Sequence, residues 1–378
     1  MKANFYIVCP LPVTTTTTTT TTTTGGYVFA GYLTSPGYVD KISPSTMSLV
    51  KTFTAPSGHN HVDALTSLSG YVFAGYDATP GYVDKISPST MSLVKTFTPP
   101  SGHKLLQVLV LLSGYVFSSY YTSPGYVDKI SPSIMTLVKT FTAPSGHRYA
   151  YALISLSGYI FAGYSTSPGY VDKISPSTMS LVKTYTAPRG HGYVKVLTTL
   201  SGYVFAGYFT TPGHVDKISP STMTLVKTFN PPSGHNRVDA LIGLSGYVFA
   251  GYNTNPGYVD KIDPSTMTLV KTFTPPSGHH SVSVLINLFG YLFAGYFTFP
   301  GYVDKISPST MSLFKTFTAP SGHNNVRTLT SLSGYVFVGY EFISGYVDKI
   351  NPSTMTLVKT FTAPSGHKFV TALTTLAT

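Results

Sequence analysis

Short segments rich in apolar and β-forming residues, separated by polar turns, fill this chain from Tyr27 onward and recur with a fixed period. The run YVFAGY at residues 27–32 returns, with small changes, every 44 residues up to the copy that begins at Tyr335. No insertion or deletion interrupts the series, and eight units carry it to Thr378. A fixed period of 20 to 50 residues indicates a repeat architecture in which each unit buries its apolar face against its neighbours.

Each unit contains four segments with the composition of short β-strands. In the second unit these are Val62–Leu68 (VDALTSL), Tyr71–Tyr76, residues 82–86 (YVDKI) and residues 93–98 (LVKTFT). The Ser-Gly pair between the first two predicts a two-residue hairpin turn, and the Pro- and Gly-containing segments that follow predict further turns. Four antiparallel strands in 40 to 45 residues are typical of one blade of a β-propeller.

The two ends of the chain predict how a ring would close. The repeats begin at the second strand of a blade, because Tyr27 aligns with Tyr71, and they end at residues 369–376 with a first-strand segment. That last segment aligns Leu373 with Leu65. The C-terminus therefore supplies the strand that the N-terminal blade lacks, an arrangement that a solenoid with separate caps does not need. We predict an all-β, eight-bladed propeller over residues 27–378, closed by the C-terminal strand.

Residues 1–26 lie outside the repeat and are expected to form an extended arm. Pro10 and Pro12 favour an extended backbone. The threonines at 18–24 align with Val62–Leu68, but we expect the C-terminal segment to take that strand position because it carries the leucines. The arm is then free to donate a strand to a neighbouring subunit, or to fold back on its own rim. The candidate assembly segment is the apolar run Phe5, Tyr6, Ile7, Val8 and Cys9.

An unbroken run of eleven threonines follows this segment. It cannot build a core, so it is either a flexible linker or an acceptor for O-linked glycans. Ser and Thr beside Pro in the predicted outer turns are further candidates. The candidate O-glycosylation sites are Thr14, Thr15, Thr16, Thr17, Thr18, Thr19, Thr20, Thr21, Thr22, Thr23, Thr24, Thr34, Ser35, Ser43 and Ser45.

Charge and cysteine content narrow the functional classes. The formal net charge is +11, but most lysines belong to the repeat and are spread evenly, which favours a solvated rim over a nucleic-acid interface. The single cysteine, Cys9, excludes an intramolecular disulfide. No apolar run reaches the roughly 20 residues of a transmembrane helix, and the N-terminus is a poor secretory signal.

Residues 257–278, GYVDKIDPSTMTLVKTFTPPSG, resemble the repeat of YVTN-type and surface-layer-like β-propeller proteins. The resemblance covers residues 27–378 and implies the propeller fold, which hosts many unrelated functions. The Asp of the Ile-Asp pair occurs only at Asp263, with Asn351 in the last unit and Ser elsewhere. The sequence also has no Trp and therefore lacks Trp-based propeller signatures.

One Gly-His pair precedes each predicted first strand. Eight imidazoles at one level could bind metal, but residues spaced one per blade do not converge on one ion. We expect each ring to bond to the backbone or to a neighbouring Asp, and we expect no metal or other cofactor. The predicted structural ring is His59, His103, His147, His191, His235, His279, His323 and His367.

Only positions that differ between units could break the eightfold symmetry, as an enzyme site requires. They follow YVFAGY, as at Asp77 and Glu341, and follow the Gly-His pair. These sets contain one Glu and no carboxylate pair, so we do not expect an enzyme. The leading hypothesis is an extracellular or cell-surface structural protein that polymerises head-to-tail through its arm. The alternative is a multivalent carbohydrate-binding propeller, because tyrosine is abundant and the blades are nearly identical.

Overall fold

The computed structural model describes residues 25–377, which form eight four-stranded antiparallel sheets. No helix occurs in this part of the chain, and hence no helix that could cross a membrane. The candidate assembly segment and the threonine run lie outside the described residues. The strands of the first half are β1 (Gly26–Tyr32), β2 (Tyr38–Ser43), β3 (Ser48–Thr54), β4 (Val62–Leu68), β5 (Tyr71–Tyr76), β6 (Val83–Ser87), β7 (Ser92–Phe97), β8 (Leu106–Leu112), β9 (Tyr115–Tyr120), β10 (Tyr126–Ser131), β11 (Thr136–Thr142), β12 (Ala150–Leu156), β13 (Tyr159–Tyr164), β14 (Tyr170–Ser175), β15 (Ser180–Thr186) and β16 (Val194–Leu200). Those of the second half are β17 (Tyr203–Tyr208), β18 (Val215–Ser219), β19 (Thr224–Phe229), β20 (Val238–Leu244), β21 (Tyr247–Tyr252), β22 (Val259–Asp263), β23 (Thr268–Phe273), β24 (Val282–Leu288), β25 (Tyr291–Tyr296), β26 (Tyr302–Ser307), β27 (Ser312–Thr318), β28 (Val326–Leu332), β29 (Tyr335–Tyr340), β30 (Tyr346–Asn351), β31 (Thr356–Thr362) and β32 (Val370–Ala377).

The sheets are the blades of a closed eight-bladed propeller, as predicted. Blade 1 contains β1–β3 and β32, blade 2 contains β4–β7, and each later blade takes the next four strands, up to blade 8 with β28–β31. The innermost strand is β32 in blade 1 and the first strand along the chain in every other blade. Each innermost strand contacts the innermost strands of both neighbouring blades. Between the first two strands, Ser69 and Gly70 have φ of 50° and 78°, the paired positive values of a type I′ hairpin turn.

The C-terminal strand closes the ring, which confirms the prediction from the chain ends. β32 pairs with β1 from Gly26 opposite Ala377 to Tyr32 opposite Val370. Leu373 is buried in the cluster that joins blades 1 and 8. The slot that aligns with the threonine run is therefore occupied by the C-terminus.

The glycine of each YVFAGY run allows the blades to approach each other closely. A Cβ on Gly31 would lie 2.5 Å from Val62 of the next blade. Blade 3 departs from the pattern, with Ser119 in place of the glycine. The residue equivalent to Val62 in the following blade is the smaller Ala150. The two departures compensate for each other in volume, which a close-packed interior requires.

One lysine in each unit ties neighbouring blades together. Lys41 Nζ donates a hydrogen bond to the carbonyl of Pro88 in the next blade at 2.8 Å and lies 3.7 Å from the centre of the Tyr27 ring. The same bond from Lys349 to Pro44 completes the circle. The expectation that the repeated lysines lie on a solvated rim is therefore wrong for this one, which is buried in most units, because it satisfies a backbone acceptor.

The outer strands present exposed edges. In β3 the first four residues, Ser48 to Lys51, are exposed, and the same pattern recurs in the outer strand of every blade. Val50 is 47% exposed. Each blade thus carries an unpaired strand edge with apolar side chains, the type of surface that accepts an additional strand.

Candidate ligand site at the mouth of the axial channel

The histidines of the Gly-His pairs each contact a different aspartate. His59 Nδ1 lies 2.8 Å from Asp84 Oδ2, and Thr96 donates its hydroxyl to Asp84 Oδ1 at 2.6 Å. Tyr82 stacks on the imidazole with ring centres 3.9 Å apart. A carboxylate accepts, so Nδ1 carries the proton that is donated. This His unit, made of the histidine, the aspartate and the threonine, connects the loop before the inner strand with the third and fourth strands.

The His unit is repeated in all eight blades, and its last copy crosses the closure. The aspartates have no exposed surface, so hydrogen bonds from the protein replace those that water would otherwise make. No group of three or more His, Cys, Asp or Glu side chains within residues 25–377 is arranged to hold a metal ion. The His–Asp pairs are His59–Asp84, His103–Asp128, His147–Asp172, His191–Asp216, His235–Asp260, His279–Asp304, His323–Asp348 and His367–Asp40.

The two sets of variable positions meet at one mouth of the axial channel. In blade 2 the backbone N–H of Asp77 donates to the carbonyl of His61 at 2.8 Å, and in blade 3 Tyr121 makes the same bond to Leu105 at 2.9 Å. Each bond joins the residue after the second strand to the residue before the inner strand. The symmetry of the blades is therefore broken at the end where the inner strands begin.

A ring of polar side chains that sequence reasoning did not single out lies at the same mouth. It is formed by the second residue of each inner strand, and the inner strand of blade 1 is β32. Seven of the eight are buried, and Lys195 is half-buried. The polar ring consists of Asp63, Gln107, Tyr151, Lys195, Asp239, Ser283, Arg327 and Thr371. The detectable signal was a position inside a mainly apolar strand whose residue changes from polar to charged to aromatic between units.

One side of the mouth is aromatic. The aromatic patch comes from blades 3, 4 and 5 and consists of Tyr121, Tyr149, Tyr151, Tyr193 and Phe209. Tyr121 and Tyr149 are stacked at 4.3 Å with an interplanar angle of 19°. Tyr121 is 37% and Tyr193 47% exposed. Burial raises the pKa of the Tyr121 phenol, and the nearby phenols of Tyr149 and Tyr193 raise it further.

Lys195 connects the aromatic patch with the polar ring. Its ammonium group donates to the Tyr151 hydroxyl at 2.9 Å and lies 5.2 Å from the centre of the Phe209 ring. Next to it, Asn253 donates its side-chain N–H to Asp239 at 2.8 Å. Burial raises the pKa of Asp239, while Lys195 and the Asn253 hydrogen bond partly offset this rise.

The opposite side of the mouth holds a charged cluster of Asp63, Asp77, Arg327 and Glu341 from blades 2 and 8. Arg327 Nε lies 3.4 Å from Glu341 Oε2. Burial raises the pKa of Asp63 well above its usual value; Asp77 and Glu341 add to the rise, and Arg327 opposes it. The sequence offered Asp77 and Glu341 only as separate variable positions, and Asp63 of the polar ring is the carboxyl on which both of them act.

A cavity of about 460 Å³ lies in the channel below the polar ring. Leucines of the inner strands, such as Leu109 and Leu241, form its wall, and Gln107 and Arg327 border it from the polar ring. It extends to the hairpin turn of blade 5 at Ser201. The polar ring thus separates this largely apolar interior from the mouth.

The candidate O-glycosylation sites within the described residues differ in accessibility. Thr34 is only 9% exposed. Ser35 and Ser45 are exposed and Ser43 is half-buried. Ser35 and Ser45 are therefore more accessible to a glycosyltransferase than Thr34 is.

Comparison with known proteins establishes the fold and no family. No family model and no curated protein matches the sequence. A computationally designed protein, Ika8, superposes with a TM-score of 0.66 at 14% identity, covering 82% of this chain and 88% of that one. BamB from Moraxella catarrhalis gives a TM-score of 0.60 at 13% identity, with coverages of 80% and 88%. Both are propeller proteins, and the chain shares their fold.

Proposed function

We propose that this protein is a carbohydrate-binding propeller with one ligand site, the aromatic patch at the channel mouth. The observation that carries the proposal is the variation of the polar ring. Exposed loops can diverge without consequence, but seven of these eight side chains are buried, where a change of chemistry normally destabilises the fold. Divergence at buried positions that form one ring at the mouth supports selection for a binding surface.

The aromatic patch favours a sugar as the ligand. Tyrosine offers an apolar face for the CH groups of a pyranose ring and a hydroxyl for its polar edge. The stacked pair of Tyr121 and Tyr149 provides such a face beside the exposed ring of Tyr193. Since the patch occupies three blades only, the proposal is a single site, in contrast to the multivalent lectin expected from the repeats. On this proposal the protein binds its ligand without catalysing a reaction.

A glycan array and a titration test the proposal on the full chain. The variant that combines Tyr121→Ala with Tyr149→Ala is expected to bind a glycan hit at least about tenfold more weakly, which corresponds to about 1.4 kcal/mol. Phe289→Ala is the matched control, because it removes an aromatic ring that is 65% exposed at the hairpin end of blade 7. Equal affinity of the double variant and the control would contradict the proposal.

A second candidate, assembly into filaments at a cell surface, is supported by a different region. The outer strands offer eight exposed edges, and the inner-strand slot of blade 1 is filled by β32. A strand donated by residues 5–9 could add to such an edge through main-chain hydrogen bonds. A donor and an acceptor that differ on each subunit give a head-to-tail contact.

Imaging of the native material by negative stain tests this second candidate. Ile7→Asp combined with Val8→Asp is expected to abolish filaments, because charge disfavours burial of the donated strand. Lys2→Glu serves as a control that changes charge in the arm outside the apolar run. Filaments that persist in the double variant, or native material that contains single rings only, would exclude the donated strand.

A further inference from the structure

The charges that solvent can reach at the channel mouth are almost all positive. Lys104, Arg148, Arg237 and Lys368 are exposed in the loops that precede the inner strands. The acidic residues of the same mouth are shielded from solvent, since Asp63, Asp77 and Asp239 are buried. Glu341 is half-buried and lies beside Arg327.

Three of the four exposed cations flank the aromatic patch. Lys104 belongs to the loop before the inner strand of blade 3, Arg148 to that of blade 4 and Arg237 to that of blade 6. The guanidinium carbon of Arg237 lies 5.1 Å from the centre of the Phe209 ring, so this cation is part of the same surface. Lys195 adds a half-buried ammonium group between Tyr151 and Phe209.

We infer that the ligand of this site is an acidic glycan, whose sugar rings stack on the tyrosines while its carboxylate or sulfate groups face Lys104, Arg148 and Arg237. The inference rests on the proposed carbohydrate-binding function and specifies its ligand class. A neutral sugar would offer no negative charge to complement these cations. Arginine forms paired hydrogen bonds with planar carboxylates, and a positive field increases the rate of encounter with an anion.

Oligogalacturonate and a neutral galactan oligomer of the same length serve as probes. The full chain is titrated with each in about 50 mM and about 300 mM salt, since screening shortens the range of exposed charges from above 10 Å to well below it. We expect at least tenfold tighter binding of the acidic oligomer at low salt, and a smaller difference at high salt.

A matched pair of triple variants separates site charge from total charge. The first combines Lys104→Gln, Arg148→Gln and Arg237→Gln, and should lose at least tenfold more affinity for the acidic oligomer than for the neutral one. The second combines Lys51→Gln, Lys95→Gln and Lys139→Gln on exposed outer strands, and should bind both probes as the native chain does.

Each other outcome has a defined meaning. Equal affinity for both oligomers, with loss of binding in the variant that combines Tyr121→Ala with Tyr149→Ala, overturns the acidic ligand and leaves the carbohydrate function standing. No binding of either oligomer and no array hit overturns both. Tighter binding of an oligothymidylate than of any glycan assigns the cations and tyrosines to single-stranded nucleic acid and also overturns both.

Discussion

The His and Asp side chains of the His units and seven of the eight side chains of the polar ring are buried, and both sets come from the same eight blades. The His units repeat the same three residue types in every blade, whereas no two neighbouring blades share a residue in the polar ring. Burial alone therefore does not impose uniformity. A His unit meets the same strands wherever it occurs. Charged members of the polar ring such as Asp63 and Lys195 interact with different side chains of other blades. Ser283 and Thr371, in contrast, both donate to equivalent backbone carbonyls.

The largest expected effect on stability comes from removing the C-terminal strand that closes the ring. Deleting residues 366–378 removes the β1–β32 pairing, with its seven residue pairs, and the buried Leu373. We expect a loss of about 5 kcal/mol or more in the free energy of unfolding, from the lost leucine packing and hydrogen bonds. Urea denaturation followed by circular dichroism measures it. Deletion of Thr378 alone is the control, and an equal midpoint for both deletions would contradict the closure.

The second test removes one member of each kind of site. Asp84→Ala leaves the buried His59 without its acceptor and should cost about 3 kcal/mol, because an uncompensated polar group remains in the interior. Tyr121→Ala at the mouth should cost less than about 1 kcal/mol but weaken ligand binding. Melting curves and titrations of both variants give the comparison. If Tyr121→Ala destabilises the ring as much as Asp84→Ala does, the mouth is structural.

A third test concerns the only blade interface whose glycine is replaced, that before blade 4. Ala150→Val should overpack the contact with Ser119 and cost about 2 kcal/mol. Adding Ser119→Gly restores the combination found at most other interfaces, such as Gly31 with Val62, and should recover most of the loss. A double-mutant cycle gives the coupling energy. A coupling near zero would show that the two departures are independent.

The period, the strand pattern and the two chain ends were sufficient to predict the ring, because each blade meets its neighbours in the same way. The partners of the histidines could be anticipated as aspartates, since buried imidazoles need acceptors. The buried role of Lys41 could not, because its acceptor is the carbonyl of Pro88 in another blade. The sequence alone does not indicate which backbone carbonyl a lysine will contact after folding.

Only some residues of the mouth could be predicted from the sequence, for a related reason. Asp77 and Glu341 stood out as variable, but Asp63 sits inside a strand, and its neighbours depend on the closure of the ring. Arg327 of blade 8 lowers the pKa of both Asp63 and Asp239, which belong to blades 2 and 6, two blades away in each direction. Such electrostatic interactions across the channel follow from eight-bladed closure and not from any local pattern.

The smallest expected effect is a pH dependence of stability that originates at the mouth. Burial raises the pKa values of Asp63, Asp239 and Glu341. A carboxyl whose pKa is higher in the folded state binds its proton more tightly there. Its contribution to stability is therefore complete below the unfolded value near pH 4 and is lost as the pH rises through the folded value.

We therefore expect the melting temperature to increase on acidification from pH 7 to about pH 5, and Asp63→Asn to reduce that increase. Asp216 in a His unit acts in the opposite direction: burial opposes its ionisation, but hydrogen bonds from His191 and Thr228 outweigh burial and lower its pKa. Asp263→Asn is the control, because Ser265 lowers the pKa of this exposed carboxyl and the variant removes no raised group. A melting temperature that does not rise from pH 7 to pH 5, or a rise that Asp63→Asn leaves unchanged, would show that the carboxyls of the mouth do not set the pH response.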